Sequence, residues 1–110
     1  EQNLEVCQNT IEITEEERAE MAAIREKLGN SFCRRCGYCA PCTVGIDITN
    51  TFLFAGYLER YDLAEWAKNR YSALKVKASA CIGCGKCEER CPYHLPIREM
   101  LKKCAKDFGE

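Results

Sequence analysis

The stretch Cys81-Ile-Gly-Cys84-Gly-Lys-Cys87-Glu-Glu-Arg-Cys91-Pro92 decides how this chain is read, because its cysteines stand in the spacing C-x2-C-x2-C-x3-C-P. A second quartet, Cys33, Cys36, Cys39 and Cys42, lies upstream as C-x2-C-x2-C-x2-C. An internal repeat relates the two. Cys33, Cys36 and Cys39 precede Cys81, Cys84 and Cys87 by 48 residues each, and Cys42 precedes Cys91 by 49. Downstream, Ile46 and Ile48 follow Cys42 by four and six positions, just as Leu95 and Ile97 follow Cys91. Cys42 is therefore the counterpart of Cys91.

Three thiolates at three-residue steps can each meet a different iron of a cubane while one loop wraps its corner. The fourth iron then needs a cysteine from elsewhere, and in runs of the C-x2-C-x2-C-x3-C-P type that cysteine serves the other of two clusters. The spacing thus predicts two [4Fe-4S] clusters with exchanged ligands. Cys33, Cys36, Cys39 and Cys91 are expected on one, and Cys81, Cys84, Cys87 and Cys42 on the other. Zinc competes less well, since four-cysteine zinc sites are usually built from CxxC pairs separated by a loop. Disulfides would crowd neighbouring cysteines into strained two-residue loops. A thioredoxin-like CxxC site needs a βαβ setting that the pattern lacks.

The 110 residues carry ten cysteines, 16 basic and 17 acidic side chains. A chain this short has a limited apolar core. Nearly balanced charge leaves no broad footprint for nucleic acid or an anionic bilayer. No signal peptide and no apolar run near 18 residues is readable, so no membrane span is expected and thiolates in reducing cytoplasm are. The opening Glu1-Gln2, in a polar stretch without a Met, reads as a cut from a longer chain.

The fold class predicted is all-α, with four to five helices around the two clusters in a pseudo-twofold repeat. Residues 1–13 read as an irregular lead-in or linker, and 14–110 as one dicluster domain with its motifs at 33–42 and 81–91. Thr14 and Glu17 form a capping box for a helix over 14–28, with Met21, Ile24 and Leu28 on one face and Gly29 as its stop. A second helix runs from Ile48 to about Tyr61. Asp62 with Glu65 is expected to cap a third, carrying Leu63, Trp66, Ala67, Tyr71 and Leu74, with Trp66 as a core anchor. Pro96 suits the first turn of a last helix with Ile97, Leu101, Cys104 and Phe108 on one stripe.

Around the expected ligands, Gly37, Gly83 and Gly85 either let backbone N–H groups approach sulfur or are ordinary loop glycines. Arg34, Arg35 and Lys86 either offset cluster charge, mark a docking face, or are solvated loop charges. Tyr38 and Tyr93 read as shields against water, and a ring N–H from His94 to a cluster is a lesser alternative. Cys104 reads as a buried core thiol. Cys7 carries no reading.

The string C-R-R-C-G-Y-C-A-P-C-x-V-G-I-D-I from Cys33 to Ile48, with C-I-G-C-G-K-C-E-E-R-C-P-Y-H-L-P-I-R-E-M-L from Cys81 to Leu101, resembles a known domain. The domain it resembles is the C-terminal iron–sulfur domain of the ferredoxin-linked bacterial and archaeal aldo/keto reductases. The Thr14–Glu17 helix start is similar as well, so the likeness runs from about residue 5 to 103. One departure from the generic ferredoxin pattern is that Pro41 precedes Cys42, whereas Pro92 follows Cys91. The resemblance implies an α-helical ferredoxin fold, an upstream reductase barrel in the same chain, and an external electron donor or acceptor protein. Expected is an electron-transfer module with no complete active site of its own. Its alternative is a docking domain stapled by clusters that never change oxidation state.

Overall fold

Capping chemistry and apolar period place the helices, and among the described residues there is no strand. The structure is a computed structural model that describes residues 2–8, 12–29 and 31–110. The chain separates into two compact units, Glu1–Asn30 and Ser31–Glu110.

The first unit holds α1 (Gln2–Gln8) and α2 (Glu15–Leu28). The irregular lead-in expected over 1–13 is corrected by α1. Its side chains from Gln2 to Glu5 are exposed, and its seven residues are too few to leave a clear period in the sequence. Asn9, Thr10 and Ile11 lie outside the described residues. At α2 the capping box forms: Glu17 N–H donates to Thr14 Oγ1 at 3.2 Å, and Thr14 N–H donates to Glu17 Oε2 at 2.8 Å. Acidic Glu15 to Glu17 at its start and Arg25 and Lys27 at its end complement the helix dipole. Gly29 closes it at φ 63. Met21 and Ile24 on its stripe stay 49% and 51% exposed, and the side chain of Leu28 lies outside the described residues.

The second unit holds α3 (Ile48–Arg60), α4 (Ala64–Ser72), a 3-10 turn (Ala78–Ala80), the short α5 (Lys86–Glu89) and α6 (Ile97–Asp107). With α1 this makes six α-helices among the described residues, where four to five were expected. The four-residue α5 is too short to leave a period in sequence. Helix α3 packs on α4 and α6, while α6 also packs on the 3-10 turn and on α5. Asp47 starts α3 by accepting the Asn50 N–H at 3.0 Å, and the fully buried Thr51 donates its hydroxyl to the Asp47 carbonyl at 2.8 Å.

Helices α3 and α6 begin at Ile48 and Ile97, positions 49 apart, and both residues are buried. The same offset joins the buried pairs Ile46 and Leu95, Phe52 and Leu101, and Ala55 and Cys104. The stripe expected on α6 is the buried one, with Phe108 packed at its edge.

The Asp62–Glu65 cap is corrected: Asp62 adopts φ 52, the cap position passes to Leu63, and no side chain bonds there. The left-handed backbone turns the chain at Asp62 before the helix begins. Trp66 is 42% exposed and stands edge-on to Tyr57 and Phe54 of α3 at 4.8 and 6.3 Å. The buried seat on α4 belongs to Ala67 and Tyr71.

Lys77 finishes α4 from outside. Its Nζ donates to the carbonyls of Tyr71, Ser72 and Leu74 at 2.9, 2.7 and 2.7 Å, a cation set on the negative end of the helix. Tyr71 stacks on Phe108 at 3.9 Å and its hydroxyl accepts the Ala78 N–H at 2.8 Å, which anchors the turn leading to Cys81. Replacing Lys77 by Met should cost about 1.5–3 kcal/mol, since hydrogen bonds to a charged group are worth that much. The check is the thermal unfolding midpoint of the cluster-loaded chain, which should fall by several degrees.

Candidate metal centres

The two cysteine loops share a backbone course that their sequences only partly share. Arg35 and Gly83, 48 residues apart, adopt φ 57 and 70, and Gly37 and Gly85, also 48 apart, adopt φ 81 and 79. Equivalent turns follow: Ala40 N–H donates to Gly37 O at 3.0 Å and Glu88 N–H to Gly85 O at 2.9 Å. Beyond the fourth cysteine, Gly45 N–H donates to Cys42 O and His94 N–H to Cys91 O, both at 3.1 Å. The loops differ after the third cysteine, where Gly85 opens α5 but Gly37 opens a turn into Pro41.

Two hollows result. Cys33, Cys36, Cys39 and Cys91 line the first, of ≈ 340 Å³ with its open mouth included. Cys42, Cys81, Cys84 and Cys87 line the second, of ≈ 280 Å³ on the same measure. Each takes three thiols from one motif and the fourth from the other. Neither lining contains a carboxylate or a histidine. Ile48, at 3% exposure, lines both, so a buried aliphatic side chain is their common wall. Among the described residues no three His, Cys, Asp or Glu side chains converge as a single ion would need. The thiols ring a hollow instead of a point, and a four-thiol donor set of this kind suits a multi-atom iron–sulfur group.

Hydrogen bonds tie one motif to the other. Arg90 donates through Nη1 to the carbonyls of Pro41 at 3.0 Å and Cys39 at 3.3 Å. Thr43 and Cys84 share a hydrogen bond at 3.4 Å that holds the Cys84 thiol below its ordinary value. Burial pushes the thiols of Cys39 and Cys87 up, with a hydrogen bond to Thr49 pulling against it at Cys39. Glu88 accepts the Arg98 backbone N–H at 2.8 Å and so closes the first turn of α6 from α5. Sequence reasoning missed Arg90, Thr43 and the Glu88–Arg98 pair. Their partners lie 10 to 51 residues away, and the one available signal was that Arg90 and Glu88 fall inside the second motif.

The residues around the thiols divide. Arg34 lies 4.6 Å from the Tyr93 ring centroid, and both line the first hollow. Tyr38 is 66% exposed and lines neither hollow. His94 also lines neither; it is exposed and holds φ 49 at the position equivalent to Gly45 with φ 83. Gly37 and Gly85 line the hollows, but Gly83 does not. Cys104 is buried at 5% exposure in the α6 core, where desolvation lifts its thiol to about 11. Among the described side chains nine cysteines are free thiols; Cys7 falls in α1 and its side chain lies outside the described residues.

Paired four-thiol hollows on a helical frame define an iron–sulfur domain. The family model for the 4Fe-4S dicluster domain matches residues 32–96, and the chain belongs to that family. Among curated proteins, the acetyl-CoA decarbonylase/synthase complex subunit alpha 1 of Methanosarcina mazei is 30% identical over 74 residues, and that of Methanosarcina barkeri 31% over 74. Each match takes in 66% of this chain but 8% of the relative's length. Neither relative is an aldo/keto reductase, so the parent family expected from the motif strings finds no support in them. No solved structure matches.

Two outcomes test the surroundings of the thiols. His94→Gly should load iron as the unmodified chain does and lie within about 1 kcal/mol of it in stability, whereas His94→Val should cost about 1–2 kcal/mol in the left-handed backbone. Denaturant titration with iron analysis reads both. Cys104, neutral until pH approaches 11, should resist iodoacetamide in the folded chain at pH 8 and react once it is unfolded, by peptide mass spectrometry.

Proposed function

We propose that the chain is an electron-transfer module holding two [4Fe-4S] clusters, which passes single electrons between an external redox protein and a reaction centre elsewhere in its parent assembly. The observation that carries this is the lining of the two hollows, each with three thiols from one motif and one from the other. Cys33, Cys36, Cys39 and Cys91 hold one cluster on this reading, and Cys81, Cys84, Cys87 and Cys42 the other. A bound cluster of this class supplies reversible one-electron chemistry.

The chain's own residues bind, orient and dry the sites. Ile48, Leu95 and Ile97 are buried side chains along the linings, and low water access is one of the levers on cluster potential. Arg90 and Thr43 hold the two loops in register. The equivalent φ angles and turns support a pseudo-twofold arrangement of the halves.

The cluster-bearing body is Ser31–Glu110 on this view, with no catalytic residue of its own. The relatives' printed name is that of a subunit of a complex, which supports protein partners; an upstream reductase barrel rests on the motif resemblance alone. No helix among the described residues is long and apolar enough to cross a membrane. Ligation by eight thiolates favours a reducing, cytoplasmic setting.

Anaerobic reconstitution should give about eight iron and about eight sulfide per chain and spin-coupled signals in the reduced EPR spectrum. Tightly bound zinc without sulfide would end the proposal. The ligand exchange has its own test in paired variants. Cys36→Ser with Cys91→Ser strikes a single cluster if ligands are exchanged, leaving about four iron, and strikes both if each motif is self-contained.

A further inference from the structure

Equivalent positions of the two halves carry different charge at the mouths of the hollows. We infer that this difference ranks the sites: the one ringed by Cys33, Cys36, Cys39 and Cys91 accepts an electron at the higher potential, with Arg34 setting the rank, an assignment that rests on the two-cluster reading above. Arg34 is the single charged side chain in the first lining. Its counterpart 48 residues on is Ile82, which lines the second hollow and is 64% exposed. Tyr93, whose ring face holds the Arg34 guanidinium at 4.6 Å, has Val44 as its counterpart 49 residues back, also in the second lining. The same two places in the frame therefore hold a cation on an aromatic face at one mouth and two aliphatic side chains at the other.

The charged member of the second lining, Arg98, does not restore the balance. Its Nε and Nη2 both lie 2.8 Å from the Glu88 carboxylate, so the pair adds little net charge. Lys86 and Arg35, the other cations within the two motifs beside Arg90, are exposed and line neither hollow. Arg90 adds to the same imbalance, because its guanidinium sits on the carbonyls of Cys39 and Pro41.

Reduction adds one electron, and hence one negative charge, to a four-thiolate site without making or breaking a bond. A cation at the mouth stabilises that added charge and raises the potential. Tyr93 keeps the cation there instead of letting it swing into water. Because Arg34 is exposed, salt weakens the effect. Electrons then rest on the first site, and the second is the low-potential end of the pair.

The test uses the full chain, reconstituted without oxygen, with iron and sulfide counted and EPR recorded during stepwise reduction by dithionite. Two one-electron steps are expected. Arg34→Gln should lower the upper step and leave the lower in place, Arg34→Lys should restore it, and Ile82→Arg should raise the lower step. Added salt should narrow the gap. Two intact clusters whose steps coincide, or an Arg34→Gln variant that moves the lower step or neither, overturn the ranking while the two-cluster reading stands. A chain that assembles a single cluster overturns both.

Discussion

Neither cysteine loop can ring its own hollow. Each supplies three thiols, and the fourth comes from a loop 48 or 49 residues away, so the two must be brought together before either hollow is complete. The rest of the second unit serves that meeting. Ile48 and Ile97 open α3 and α6 directly after the loops and bury themselves between them, and Phe52, Leu101 and Cys104 extend the contact. Apolar burial is limited in a unit of this size. Arg90, reaching carbonyls of the other loop, and Thr43, reaching Cys84, add polar ties where that core ends.

The halves agree in backbone and differ in side chains. The φ angles at Arg35 and Gly83, and at Gly45 and His94, lie in the same left-handed region, although two of the four residues are not glycine. Holding Arg35 and His94 there is a cost that local sequence does not favour. What varies is the chemistry at the mouths: Arg34 against Ile82, Tyr93 against Val44, Thr49 against the Glu88-bound Arg98. One frame thus carries two different environments.

Much of this was legible in the residues. The spacing of Ile46 and Ile48 after Cys42, matching Leu95 and Ile97 after Cys91, anticipated the starts of α3 and α6 at Ile48 and Ile97. The α2 cap was readable because Thr14 and Glu17 are three residues apart and need no distant partner. The Asp62 cap failed because a positive φ, which the side chain does not announce, displaces it from the helix start. Trp66 was placed by its spacing, but spacing does not say that Ala67 is the residue α4 buries against α3. Lys77, Arg90 and Glu88 were invisible because they act through carbonyls and side chains set by the completed fold.

If the clusters are held as proposed, each by three cysteines of one motif and one of the other, the order of synthesis bears on their assembly. During synthesis Cys33, Cys36 and Cys39 leave the ribosome well before Cys91, so the first ring has a gap while the nascent chain lengthens. The second ring is the reverse case, with Cys42 made early and waiting for Cys81, Cys84 and Cys87. Both rings of thiols close only when the later loop arrives, so on the proposed ligation maturation would be late at both sites, and a chain truncated before Cys81 would finish neither.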